Sequence, residues 1–330
     1  MNEEEFNMKK VQAMPRFLFC VVLTIMVTLS ASALAQLPQS EPEGNHALKV
    51  LPRVSVTVLV DNMCGPDTVL GEWGLSFLID TDQHRILLDT GGGRIILGNA
   101  RALDADLGKT EAIVISHGHH DHTGGLETVF ETCGPVDLFM HPAVFDTRYW
   151  KEDSSAVAYR LPFSRQQLSQ RVRRLIETKE PTLVCDGVMV TGQVPRVNDF
   201  EDTGVTGYSF LDESLKIPDL IVDDQALFFR VPEGVVILLG CGHAGLVNTM
   251  RYVCELLGEQ EIYAVMGGTH LLSASPDRMQ KTVEALKKYN VQKIMLSHCT
   301  GLRAYLQLDR AFPGRCSWPA SGTRIQFGVR

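Results

Sequence analysis

Positive charge is in short supply along these 330 residues: 31 Lys and Arg stand against 39 Asp and Glu, for a formal net charge of −8. That balance sets aside nucleic acid as a partner, because backbone binding needs a basic stripe to neutralise phosphates. The densest basic group, Arg171, Arg173 and Arg174, falls in a polar helical pattern and reads as a solvated face. Long apolar runs are equally scarce. The strongly apolar stretch Phe17 to Leu29 falls short of the roughly 20 residues of a spanning helix, which argues against a retained membrane anchor. Cysteines are widely spaced, unlike those of a small disulfide scaffold. Gly91-Gly92-Gly93 has neither a Walker lysine nor dinucleotide spacing and reads as a turn. What remains, 45% hydrophobic and 21% charged residues, is the composition of a globular chain able to bury a large core.

The N-terminus carries a processing signal. Lys9, Lys10 and Arg16 precede the apolar run, and Ala33-Leu34-Ala35 supplies the small-x-small pattern of a signal-peptidase site. Residues 1–35 are thus expected to be a signal peptide cleaved near Ala35, leaving a periplasmic or secreted protein without a membrane anchor. Glu3 to Glu5 are unusual in such a segment, so translation starts at Met1 or Met8. The mature chain would keep seven cysteines, Cys64, Cys133, Cys185, Cys241, Cys254, Cys299 and Cys316, and an odd number leaves at least one without an intramolecular partner. Residues 36–53 read as a linker, with Pro, Glu, Ser and Gly concentrated in Leu37 to Asn45, and 54–330 as one domain. Within it, the polar, aromatic-bearing stretch near 145–180 reads as an insertion, either covering the site and contributing specificity or packing on the surface.

β-Branched runs predict strands at Val54 to Val60, Arg85 to Asp89, Ala112 to Ile115, Val136 to Met140, Val235 to Leu239, Ile262 to Met266 and Lys293 to Leu296. Helical patterns fall at Ile95 to Leu103, Leu126 to Thr132 and Leu246 to Leu257. Paired sheets flanked by helices are the expected result.

Chemistry concentrates in Ser116-His117-Gly118-His119-His120-Asp121-His122-Thr123-Gly124-Gly125, directly after a strand. Four of the ten histidines lie here, and imidazole is the commonest metal ligand, so a metal loop outranks a solvated histidine-rich turn. His117 and His119 can turn to one ion, with Asp121 and His122 serving a second about 3.5–4 Å away. Three later strands end near histidine: Gly240-Cys241-Gly242-His243, Gly267-Gly268-Thr269-His270 and Ser297-His298-Cys299. His141 falls at a strand end and reads equally as structural, His84 as a turn residue, and His46 as exposed linker.

The H-x-H-x-D-H motif with Thr-Gly-Gly-Leu behind it, Leu87-Leu88-Asp89-Thr90-Gly91 before it and the later histidine segments resemble the metallo-β-lactamase superfamily over roughly Val54 to Val329. Together, Gly71-Glu72-Trp73-Gly74-Leu75-Ser76, Asp223-Asp224-Gln225, Gly240 to Gly245, Gly267 to Leu271 and His298 to Gly301 are similar to its dihydropteroate-synthase-like branch, named for an enzyme of methanopterin biosynthesis. The resemblance implies an α/β (α+β) fold, a four-layer αββα sandwich, with a two-metal site on one edge. It places His117, His119 and His243 on the first ion, and Asp121, His122 and His298 on the second. Many members bridge the ions with an Asp that Gly240-Cys241-Gly242-His243 lacks; Cys241 could replace it as a thiolate, or His243 could take that place. Asp89 is expected to orient a ligand, and His270 is either a reserve ligand or a donor to substrate. Zinc suits the nitrogen-rich set best, with iron and manganese as alternatives.

The leading expectation is an exported metal-dependent hydrolase acting on a small ester or phosphoester, Asp121 orienting the attacking water and His270 donating to the leaving group or oxyanion. Pterin-group transfer and non-catalytic periplasmic ligand binding are the alternatives.

Overall fold

The computed structural model describes residues 48–153 and 155–328. The proposed signal peptide and its cleavage point, both start codons, His46 and most of the linker lie outside the described residues.

Two seven-stranded sheets carry the fold. In spatial order the first comprises Arg324–Phe327, Val54–Val60, Ser76–Thr81, Arg85–Leu88, Ala112–Val114, Asp137–Met140 and Arg174–Glu177. The second comprises Cys316–Ser317, Lys293–Leu296, Ala264–Gly267, Gly234–Leu239, Ala226–Val231, Val188–Val190 and Thr182–Cys185. Strand side chains alternate between faces, and here both faces are apolar, which forces each sheet to be covered twice. Val56, Val58, Phe77, Ile79, Ile86 and Leu88 of the first sheet meet Leu227, Phe229, Val236, Leu238 and Met266 of the second in a shared inner core. The alternate residues face outward. Leu59, Leu78, Leu87 and Ile113 pack beneath the helices Ile96–Ala102, Leu126–Phe130 and Arg165–Arg171. On the other side Val235, Ile237 and Leu239 pack beneath Leu246–Leu257, Pro276–Lys288 and Leu302–Ala311. The result is the four-layer αββα sandwich. Each wholly buried Leu, Val or Phe contributes about 1.5–3 kcal/mol, so the inner core is the main source of cohesion between the sheets.

Two boundaries differ from the sequence reading. Packed chain begins before Val54: Leu48 and Leu51 are buried, and Leu51 N–H donates to Arg230 O at 2.8 Å, so the last residues of the expected linker belong to the fold. The expected insertion at 145–180 also divides. Arg148–Glu152 and Ser155–Tyr159 form a hairpin that pairs with Ser209–Phe210 in a small third sheet. Arg165–Arg171, however, buries Leu168 in the outer core, and Arg174–Glu177 is the edge strand of the first sheet. Edge strands bury little, so their sequence lacks the apolar alternation that betrays a strand. The cluster Arg171, Arg173 and Arg174 is largely exposed, as read, but Arg173 and Arg174 both ion-pair with Asp137. Among the described residues, no helix is long and apolar enough to cross a membrane.

Candidate metal centre

Residues that follow the strands at one edge of both sheets converge there. Ala112–Val114 delivers the loop 116–119, and His120–Thr123 is a single helical turn. From the second sheet come Cys241 and His243 after Gly234–Leu239, His270 after Ala264–Gly267, and His298 and Cys299 after Lys293–Leu296. Three sets of potential ligand atoms lie within 4.8 Å of one another: Asp121, His122, Cys241 and His298; His117, Cys241 and His243; and Cys241, His270 and Cys299. Cys241 belongs to all three.

Second hydrogen bonds fix which nitrogen each ring offers. Ser116 Oγ–H donates to Asp89 Oδ2 at 2.6 Å, which spends its only proton, so His117 Nδ1 must donate to Ser116 Oγ at 2.9 Å and keep its Nε2 lone pair free. His122 Nδ1 donates to Asp89 Oδ2 at 2.7 Å, His243 Nδ1 to Thr203 O at 2.5 Å, and His298 Nδ1 to Asn62 Oδ1 at 2.8 Å. Each therefore turns Nε2 inward. His119 is oriented the other way, its Nδ1 lying 3.1 Å from His117 Nε2. Asp121 Oδ2 is 3.3 Å from His298 Nε2 and 3.7 Å from His122 Nε2. His122 Nε2 is 3.1 Å from Cys241 Sγ.

These residues fit divalent ions on two counts. His243 and His298 each bury an inward Nε2 with no hydrogen-bond partner, and a buried polar atom left alone costs about 1–3 kcal/mol. The donor set, imidazoles with a carboxylate and a thiol, is also that of zinc-type sites, and most of the rings have the outer hydrogen bond that orients such ligands.

Electrostatics points the same way. Burial lowers His117 and His243 well below the usual histidine value, helped by neighbouring imidazoles. His119 falls to about 4 through burial and the Arg148 guanidinium. His122 is the exception: although burial opposes it, the Asp89 and Asp121 carboxylates raise it to about 9. Burial opposes ionisation of Asp121, but His122 and His298 overcome it and hold its carboxyl far below the usual range. Burial pushes the Cys241 thiol well up, so its thiolate needs a cation beside it.

Backbone strain gathers at this edge. Asp89, His270 and His298 have φ of 58°, 44° and 53°, a left-handed region sparsely used by residues other than glycine. At Gly240, any Cβ would collide with the Ser116 hydroxyl that orients His117.

The structure thus brings together His117, His119, Asp121, His122, His243, His298 and Cys241, with Asp89 behind them. Cys241, left open by the sequence, sits centrally; His243 lies beside His117 and His119. His270 stacks on His243, ring centroids 4.1 Å apart, and its backbone N–H donates to Cys299 Sγ at 3.3 Å. His141 accepts from Ala143 N–H at a turn, and His84 Nδ1 hydrogen-bonds Glu111 at 2.9 Å. The sequence assigned no role to several supporting groups, although Asp223 stands in one of the segments behind the family resemblance. Asp61 accepts from the His298 N–H at 3.0 Å and from the Trp318 indole at 2.9 Å. Asp223 accepts from Gly118 N–H at 2.6 Å and, with Asp219, holds the buried Arg148 guanidinium. Asp61 and Asn62 did carry a signal, since they follow a strand end at the same edge; Thr203 acts through its carbonyl and carried none.

The sequence model of the metallo-beta-lactamase superfamily matches residues 74–252, more than half of the chain. The chain belongs to the metallo-beta-lactamase superfamily. It is 29% identical over 262 residues to 7,8-dihydropterin-6-methyl-4-(beta-D-ribofuranosyl)-aminobenzene-5'-phosphate synthase of Methanocaldococcus jannaschii, covering 76% of this chain and 89% of the synthase. An uncharacterized protein of the same organism, MJ0448, is 30% identical over 262 residues, covering 77% of this chain and 94% of that protein. Among solved structures, Tm1679, described as a metal-dependent hydrolase of the beta-lactamase superfamily, superposes with a TM-score of 0.69 at 27% identity, over 82% of this chain and 98% of its own.

Proposed function

We propose that the chain is an exported metal-dependent hydrolase that directs water onto a small ester or phosphoester. The observation that carries this reading is the convergence on Cys241 of two groups of ligand atoms, those of Asp121, His122 and His298 and those of His117 and His243, with Nε2 of His243 and His298 buried and without a hydrogen-bond partner. His117, His119 and His243 would hold one ion, and Asp121, His122, Cys241 and His298 the other, with zinc the best match to these donors. When bound, such ions supply Lewis-acid polarisation of water and of a carbonyl or phosphoryl oxygen.

The protein's own groups then have defined tasks. Asp121 stays ionised and is about 20% exposed, so a free oxygen lone pair can orient water entering from the adjoining cavity. Burial and the neighbouring His119 lower His270 to about 3, which keeps it neutral at pH 7. It can offer one N–H to an oxyanion or leaving oxygen but cannot serve as a cationic acid. Asp89 fixes His122 directly and His117 through Ser116. The cavity, about 310 Å³, opens beside His119, His120 and Asp121, a volume suited to a small ligand.

Purified protein reconstituted with zinc, iron or manganese should turn over members of a panel of esters, lactones, β-lactams and phosphodiesters. No turnover by fully loaded protein would end the hydrolase reading. A second reading, pterin-group transfer, is favoured by the similarity to the synthase across 89% of that enzyme. It expects pyrophosphate release from a pterin diphosphate and an arylamine. The export signal read in residues 1–35 argues against it, since activated pterins belong to the cytoplasm.

A further inference from the structure

We propose that this site takes substrates bearing a flat aromatic group beside the scissile bond, gripped by Trp73 and Trp150; the inference deepens the hydrolase reading and rests on it for the reaction alone. Two of the chain's three tryptophans line the cavity at the metal centre, together with His119, Asp121 and Arg94. They reach it from opposite parts of the chain. Trp73 precedes the strand Ser76–Thr81 and packs against His298, ring centroids 5.1 Å apart. Trp150 lies on the hairpin outside the two main sheets and packs against His119 at 5.5 Å. Thus each indole flanks a different one of the two ligand groups, and the reactive position lies between them.

Neither indole is there to fill a core. Trp73 is 56% exposed, and Trp150 is only partly buried. A large apolar ring left in water next to a reaction centre is unfavourable unless a ligand covers it. The hairpin carrying Trp150 is also firmly placed. Arg148, two residues earlier, is buried against Asp219 and Asp223, and Tyr159 on the return strand hydrogen-bonds Thr123 at 2.7 Å. Glu72 accepts from Arg94 N–H at 3.3 Å and so fixes the opposite wall. Two preset indoles bind a planar ring by stacking or edge contact at little entropic cost, whereas a saturated ring of similar size gains area burial alone.

Binding to the zinc-loaded full chain can be read without turnover. The paired probes are benzylphosphonate and cyclohexylmethylphosphonate, matched in ring size and sharing a non-hydrolysable head group, followed by indole fluorescence and near-UV circular dichroism. The aromatic probe should bind at least tenfold more tightly and quench the emission. Trp73→Ala and Trp150→Ala should each weaken it about threefold to tenfold, weaken the saturated probe distinctly less, and regain most of the affinity as Trp→Phe. Equal affinity for the two probes, or loss of both probes alike in the variants, would overturn the proposal. Zinc content measured on each variant keeps a damaged site from passing as a lost contact. Turnover without aromatic preference sinks this inference and spares the hydrolase reading; aromatic preference in binding without turnover of any ester does the reverse.

Discussion

Replacing Arg148 with Met should cost about 3–5 kcal/mol of stability, the usual penalty for removing one partner of a buried ion pair. Its guanidinium, only 2% exposed, donates to Asp219 Oδ2 at 2.8 Å and to Asp223 Oδ1 at 2.5 Å, and those carboxylates are 3% and 0% exposed. Met keeps most of the stem volume, so little of the loss comes from packing. Two desolvated carboxylates would face each other without a cation. Against a typical total of about 5–15 kcal/mol, that is a large share. Urea unfolding of the loaded protein at pH 8 and pH 5.5 gives the test: the deficit should shrink at the lower pH, where protonation relieves a buried unpaired carboxylate. Adding Asp219→Asn and Asp223→Asn to Arg148→Met should recover a good part of the loss. A deficit below about 1 kcal/mol, or no recovery in the triple variant, would refute the assignment of Arg148 as charge partner to both acids.

Four further outcomes are expected. Asp89→Asn keeps a residue that tolerates the left-handed backbone but removes the charge that faces His122 and Ser116, so competition with a chelating dye should show metal affinity falling about 10–100-fold. Gly240→Ala should weaken metal binding comparably by driving its new methyl into Ser116, whereas Gly134→Ala, with nothing nearby, should leave it unchanged. Calorimetric loading at pH 8 in buffers of different ionisation enthalpy should register release of about two protons, from His122 and Cys241, falling by about one in Cys241→Ser. In chelator-treated protein the raised His122 should stabilise the fold fully below 6.5 and lose that contribution as pH rises through about 9, a decline that His122→Gln should flatten.

How much of this was legible depended on how local the signal was. Val54–Val60, Leu246–Leu257 and Lys293–Leu296 fall where periodicity alone puts them, since both faces of the strands and one face of the helix are apolar. His117 to His122 announce themselves because the ligands share one short loop. His243 and His298 could be nominated because each follows a strand run, and the sheet order then brings those strand ends to one edge. Other parts were opaque for physical reasons. Cys241 could be named as one of two candidates for the bridging place, but only the folded chain shows that it belongs to both ligand groups. Thr203 contributes a main-chain oxygen, which every residue possesses. Arg148, Asp219 and Asp223 are ordinary polar residues until tertiary folding buries them together. Arg174–Glu177 was taken as part of an insertion because a sheet margin does not demand alternating hydrophobicity.

The supports of the centre cross from one half of the molecule to the other. Asp61 and Asn62, early in the chain, hold His298 near its end, while Asp223 from the later half steadies Gly118 in the earlier one. Reactivity is therefore a property of the seam. A change at the contact between the layers therefore reaches the ligands without touching any of them.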